Sequence, residues 1–152
     1  LMIRDGEPFL IEFNVRMGDP ECQTILPTLK TDLMDVIISC CEGTLNQSKI
    51  NFSKTKSVCI VLCSKGYPEK FENNIEIKNL EQLEILENQN IFHAGTLKTK
   101  NGIVSNGGRV LNFVSASDDF SKCREEIINL IKKLNWQNGF FRRDIGHKVI
   151  GR

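Results

Sequence analysis

Glu12-Phe13-Asn14-Val15-Arg16-Met17-Gly18-Asp19-Pro20-Glu21 is the stretch on which the reading of this chain turns. On a strand, alternate side chains share a face, so Glu12, Asn14 and Arg16 point one way and Phe13 and Val15 the other. A carboxylate, an amide and a guanidinium along one face admit two readings. One is the solvated face of a half-exposed sheet. The other is a magnesium–phosphate site: Glu12 and Asn14 supply the hard oxygen ligands that Mg²⁺ prefers, and the planar fork of Arg16 holds phosphate oxygens. Asp19-Pro20-Glu21 then reads as a helix start, with Asp19 as N-cap, Pro20 in the first helical position and Glu21 at the positive dipole end. Capping accounts for Asp19 by itself, and contact with a substrate is the competing role. Gly18 is a backbone hinge between strand and helix.

Upstream, Leu1 to Arg4 and Phe9 to Phe13 are expected to pair as a hairpin about the Asp5-Gly6 turn, with the second strand buried on both faces. A hairpin at the first residue marks the chain as an expected excerpt, the C-terminal fragment of something longer. There is neither a charged n-region nor a sustained apolar h-region, so no signal peptide is expected. Downstream, Pro27 limits the first helix. A second helix is predicted from Asp32 to about Cys41, burying Leu33, Val36, Ile37 and Cys40, with Gly43 closing it. Asn46 to Lys56 is polar and aperiodic, the best place for a boundary, which divides the chain into 1–50 and 51–152.

Beyond that boundary Ser57 to Cys63 is a continuous apolar, β-branched run and hence a buried strand, stopped by Lys65-Gly66-Tyr67-Pro68. Short strands are predicted at Ile75–Ile77, Gln89–His93, Thr96–Lys98 and Val104–Ser105, with Asn101-Gly102 as a hairpin turn, then a longer strand from Arg109 to Ala116. The last helix is expected from Asp118 to about Leu134, capped by Ser117. Phe120, Cys123, Ile127, Leu130, Ile131 and Leu134 form its packing face.

The 152 residues carry Lys+Arg 20 against Asp+Glu 19, a net charge of +1. That balance, with no long basic run, excludes a strong nucleic-acid footprint. No stretch approaches the ~20 apolar residues of a transmembrane helix. The 6 cysteines form no C-x-x-C pair and mostly sit in apolar runs, so reduced, mostly buried thiols in a cytoplasmic protein are expected, without zinc. No heptad or large apolar stripe calls for a partner, and a monomer is expected.

Lys65 follows a buried strand and precedes a turn, where its ammonium either reaches a phosphate or is simply solvated. Gly107-Gly108-Arg109 either lets backbone approach a ribose phosphate, with Arg109 pairing to it, or forms a β-bulge with Arg109 bound to a carboxylate. His93 reads as a hydrogen-bonded core histidine and His147 as a surface one. Arg142, Arg143 and Asp144 read as a cluster anchoring the tail.

The string E-F-N-V-R-M-G-D-P-E-C-Q resembles the metal-binding strand of the ATP-grasp ligases, and in particular the E-x-N-x-R-x-G-D-P-E-x-Q signature of the phosphoribosylamine–glycine ligase family, the glycinamide ribonucleotide synthetases. Ser64-Lys65-Gly66-Tyr67-Pro68, Phe92-His93-Ala94-Gly95-Thr96, Gly107-Gly108-Arg109-Val110-Leu111 and Arg142-Arg143-Asp144-Ile145-Gly146 follow in that family's C-terminal order, over nearly the whole chain. Cys22 stands where relatives often carry threonine and Met17 where phenylalanine is common; neither supplies a ligand. The resemblance implies an α+β chain: the end of an ATP-grasp domain, then a small, mostly antiparallel β lobe with one long helix. It implies a ligase of purine biosynthesis in which ATP phosphorylates glycine and the amine of 5-phosphoribosylamine attacks the acyl phosphate. Carried over, Glu12 and Asn14 are ligands of Mg²⁺ or Mn²⁺, and Arg16 clamps the phosphate. Asp19 and Glu21 hold the glycine ammonium or order the loop around it. Lys65, Gly107, Gly108 and Arg109 face the substrate. The resemblance places the glycine-rich loop and adenine pocket outside these residues. The rivals are another ATP-grasp carboxylate–amine ligase, and a non-catalytic module that kept the fold.

Overall fold

In the computed structural model, which describes residues 1–150, two nine-residue strands form the centre. They are β3 (Lys56–Ser64) and β7 (Arg109–Ser117). Preceding them are a hairpin of β1 (Met2–Arg4) and β2 (Glu7–Phe9), then α1 (Glu21–Ile25) and α2 (Leu33–Cys41). Between the central strands lie β4 (Gln89–His93), β5 (Thr96–Thr99) and β6 (Gly102–Ser105). After them come α3 (Phe120–Lys133) and β8 (Gly139–Phe140). The main sheet runs β4-β7-β3-β8, every neighbour antiparallel, and β5–β6 form a separate hairpin. The architecture is α+β, as the sequence indicated.

The β-branched run of β3 fits a strand covered on both faces. Val58, Ile60 and Leu62, with Leu111 and Phe113 across the ladder, pack beneath Cys123, Ile127 and Leu130 of α3. Each such side chain, fully buried, contributes about 1.5–3 kcal/mol. Glu126 fastens the helix through Ser115 Oγ and Asn88 Nδ2, which both donate to its carboxylate. The opposite face of the sheet, with Cys59, Val61 and Val114, lies under α1. Asn112 shares that face, opposite Val61, and is 1% exposed, with neither Oδ1 nor Nδ2 hydrogen-bonded to the described residues. An orphaned buried amide costs about 1–3 kcal/mol, whereas leucine is close in volume and has no polar atom to strand. Asn112→Leu is therefore expected to raise the melting temperature by a few degrees, measured by calorimetry.

Several local expectations are corrected. The second hairpin strand ends at Phe9, not Phe13, because β1 offers only Met2, Ile3 and Arg4 as partners. Leu10, Ile11, Phe13 and Val15 extend past the ladder and are exposed. Asp19 does not cap α1. Pro20 holds the cap position, and the Asp19 carboxylate goes to a guanidinium and an amide instead. α2 is capped by Asp32, whose side chain accepts from Met34 N–H at 2.7 Å, and Gly43 closes it at φ +68°. Its apolar side is not buried, however: Leu33, Met34, Ile37 and Ile38 are exposed, since α2 packs chiefly on the short turn Leu45–Gln47. Ile75–Ile77 makes one bridge, Glu76 to Val104, rather than a strand. Ser117 cannot cap α3 because it is still in the β7 ladder opposite Lys56; Asp119 caps it instead, accepting from Lys122 N–H at 2.9 Å. His93 is exposed and bonded to Thr96 Oγ1, not a core residue.

Segment 48–53 is tied back to Thr28–Thr31 by backbone hydrogen bonds, including Lys30 N–H to Asn51 O at 2.9 Å and Ser53 N–H to Thr28 O at 2.7 Å. The tail is anchored as expected. Arg142 grips Asp144 with two hydrogen bonds, which hold that carboxyl below the usual carboxylate range. Arg143 takes part through its carbonyl, which accepts from Arg124. No described helix is long and apolar enough to cross a membrane.

Candidate functional site

The residues singled out by sequence fall into three groups. In the first, Asn14 Nδ2 donates to Glu12 Oε1 at 2.8 Å. Turning the amide donor inward leaves Asn14 Oδ1 and the second Glu12 oxygen as acceptors on an exposed stretch. Arg16 does not join them; its Nη1 donates to Met17 O at 2.8 Å. Among the described residues no three of His, Cys, Asp and Glu gather as a metal cluster. A carboxylate and an amide carbonyl two residues apart are the donor types that fit a hard divalent ion taking the rest of its shell from water and phosphate oxygens.

In the second group, Arg109 at the start of β7 reaches back across the fold. Its Nη2 lies 3.2 Å from Asp19 Oδ2, and its Nη1 donates to Asp19 O at 3.2 Å. Both side chains are partly exposed, 44% and 35%, so the pair contributes at most about 1 kcal/mol to stability. Its effect is to fix where both groups point. Glu21 orders the same loop, accepting from Gly18 N–H at 2.8 Å. No hydrogen bond or ion pair among the described residues joins this group to Glu12 and Asn14.

The third group shows why the later motifs occur together. Ser64 Oγ donates to Gly107 O at 2.8 Å, and Ser64 N–H to Gly108 O at 2.8 Å. A Cβ on Gly108 would stand 2.1 Å from the Tyr67 ring, and one on Gly95 would stand 2.6 Å from Arg109 O. These glycines are therefore required by packing of the motifs on one another, and the ladder shifts register here, between Leu62 and Cys63. The structural alternative held open for Gly107-Gly108-Arg109 has its counterparts here, a ladder irregularity next to Arg109 and the Asp19 carboxylate as its partner. Lys65 is exposed, makes no ion pair among the described residues, and lines a cavity of about 420 Å³ with Lys70, Phe71, Glu72 and Asn138. Sequence reasoning passed over Gln23, whose Nε2 donates to Asp19 Oδ1 at 3.0 Å, and Tyr67, which covers Gly108. The closing glutamine of the D-P-E-x-Q string was the available signal for the first.

The cysteines near this site are quiet. Cys59 is pushed up to about 12, first by burial and then by the Asp19 carboxylate, against a hydrogen bond with Thr24. Cys63 is raised by burial, with Arg109 pulling the other way. The expectation of mostly buried thiols is corrected, since Cys40 and Cys41 are exposed and only Cys63 and Cys123 are buried. A maleimide or iodoacetamide time course at pH 8, read by peptide mass spectrometry, should modify the exposed Cys40 and Cys41 first and the buried Cys63 and Cys123 last. Because the Cys59 pKa is raised in the folded state, its contribution to stability is complete below about pH 9 and is lost as pH rises toward about 12.

The architecture is an α+β lobe built on an antiparallel sheet. It superposes on phosphoribosylamine–glycine ligase from Thermotoga maritima with a TM-score of 0.68 and 29% identity, covering 95% of this chain and 35% of that one. A family profile described as "Phosphoribosylglycinamide synthetase, C domain" matches residues 57–148, and the chain belongs to that family. The chloroplastic phosphoribosylamine–glycine ligase of Arabidopsis thaliana is 40% identical over 149 residues, 97% of this chain and 28% of the relative. The phosphoribosylamine–glycine ligase of Agrobacterium fabrum is 39% identical over 152 residues, 100% of this chain and 36% of the relative. The chain thus spans about a third of the length of the curated relatives it matches.

Proposed function

We propose that the polypeptide carrying this chain is an ATP-dependent ligase of purine biosynthesis. It joins glycine to 5-phosphoribosylamine through glycyl phosphate and yields glycinamide ribonucleotide, ADP and phosphate. The observation that carries this reading is the coincidence of the E-x-N-x-R-x-G-D-P-E-x-Q string with the family's C domain in one chain, at 39–40% identity to relatives named for that activity. The division near residue 50, with the end of an ATP-grasp domain before it and a C-terminal lobe after it, belongs to the same proposal. So does a monomeric, cytoplasmic enzyme.

Glu12 and Asn14 are the residues that would hold Mg²⁺ or Mn²⁺, which supplies charge neutralisation at the transferring phosphoryl group. Arg16, released from Met17 O, is placed in sequence to pair with the acyl phosphate. Asp19 and Glu21 offer carboxylates to the glycine ammonium. Lys65 and Arg109, with the backbone of Gly107 and Gly108, offer cations and N–H groups to the phosphate of the amine substrate. Phosphoryl transfer of this kind needs alignment and electrostatic stabilisation more than covalent help.

The test is ADP release by the full polypeptide with Mg·ATP, glycine and freshly made phosphoribosylamine, each omitted in turn. Release that requires both co-substrates supports the reading. Release with another acid–amine pair moves the protein to a different ATP-grasp ligase, and none with any pair leaves a binding module.

A further inference from the structure

The Asp19 carboxylate is about one-third exposed, yet it is held from two sides. Oδ1 accepts from Gln23 Nε2 at 3.0 Å and Oδ2 pairs with Arg109 Nη2 at 3.2 Å, while its own carbonyl accepts from Arg109 Nη1. Gln23 lies in the first turn of α1, and from there its side chain reaches back to Asp19, which precedes the helix. The other end of the Gln23 amide is buried and makes no hydrogen bond: Oε1 has no partner among the described residues. Turning the amide over would set that oxygen against Asp19 Oδ1, so the donor end stays on the carboxylate. A surface carboxylate needs no such restraint for solvation, and ordering these side chains costs rotamer entropy that a partly exposed pair barely repays. What the restraint does provide is one fixed orientation. Each carboxylate oxygen has one protein partner and acceptor capacity to spare.

We propose that Gln23 is a positioning residue: by holding Oδ1, it orients the Asp19 carboxylate to receive the ammonium group of the amino-acid substrate. The inference rests on the functional reading above, in which Asp19 contacts glycine. Gln23 touches no reacting atom and acts only through Asp19. Cys59 and Arg109 are the other ionisable groups facing that carboxylate, and neither supplies a neutral donor to Oδ1.

The experiment compares Gln23→Glu and Gln23→Ala in the full polypeptide. Glutamate keeps the shape of glutamine but turns the donor into an acceptor, so packing and hydrogen bonding separate. Both variants should raise the KM for glycine about tenfold or more while the KM for ATP stays within twofold, and Gln23→Ala, which brings no second carboxylate beside Asp19, should melt within about two degrees of wild type. A wild-type glycine KM in Gln23→Glu overturns the inference. So does a parallel rise of every KM together with lost stability, which marks a merely structural role. An active wild type with either of those results leaves the functional reading intact. A wild type without glycine-dependent ADP release overturns that reading and this inference with it.

Discussion

Glu12→Gln should lower glycine-dependent ADP formation by at least about a hundredfold, with kcat carrying most of the loss and the divalent-ion requirement moving to higher concentration. The substitution changes charge and little else. Glu12 is exposed, its contact is the Asn14 amide at 2.8 Å, and the glutamine carbonyl can still accept that hydrogen bond. The fold therefore has no reason to respond, and melting should be unchanged within about a degree. What is lost is a negative oxygen ligand for the ion that neutralises the transferring phosphoryl group. Removing a single preorganised electrostatic contact of this kind costs roughly 10²–10³ in rate. The same variant separates the rival readings, because a non-catalytic module would lose only metal affinity, visible by calorimetry with Mg²⁺ or Mn²⁺ and absent from any rate. Steady-state ADP release alongside metal titration decides it.

Gly66→Ala should be the most damaging single-methyl addition in the C-terminal lobe, about 3 kcal/mol or more and roughly 8 °C in melting temperature. Two costs add. Gly66 sits at φ +98°, where a Cβ is strained, and that Cβ would stand 2.1 Å from the backbone oxygen of Lys70. The obstacle is not a side-chain tip that can swing aside. The turn is closed by hydrogen bonds from Tyr67 N–H to Ser64 O and from Glu69 N–H to Gly66 O, so relief requires opening it. Gly6 and Gly43 are the internal controls. Both have positive φ, but nothing lies within 4 Å of an added Cβ, so Gly6→Ala and Gly43→Ala should cost only about 1 kcal/mol each. Thermal denaturation of the three variants checks the ranking. Since the Gly66 turn carries Lys65 and presses Tyr67 onto Gly108, its loss should also disturb Arg109 downstream.

The large elements were legible because their signals are local. The β-branched run Ser57–Cys63 and the run after Arg109 lie within one residue of the observed strands, and the apolar face of Cys123, Ile127 and Leu130 is the one α3 buries. Period and composition survive any choice of tertiary partner. Boundaries and caps did not fare as well, since each depends on competition. Ser117 is a good cap by type, but the β7 ladder claims it and Asp119 serves instead. Phe9–Phe13 has the apolar run of a strand buried on both faces but outruns the three-residue β1. The apolar positions of α2 follow helical spacing, yet spacing does not state what covers them, and they stand exposed.

The candidate site divides in the same way. The identity of the family and the pairing of a carboxylate with an amide two residues on are written in the string from Glu12 to Gln23, because a ligand set at fixed short spacing is a property of sequence. That Asp19 takes Arg109, 90 residues away, and Gln23 rather than its own helix end could be settled only in three dimensions. So could the close approach of Tyr67 to Gly108 and the isolation of the Asn112 amide. A short polar side chain bonds to whichever donor the folded chain brings nearest, and a charged guanidinium outcompetes a backbone N–H. Residue type and spacing determine what each group can do; the packing of β7 against α1 determines which of those options is taken.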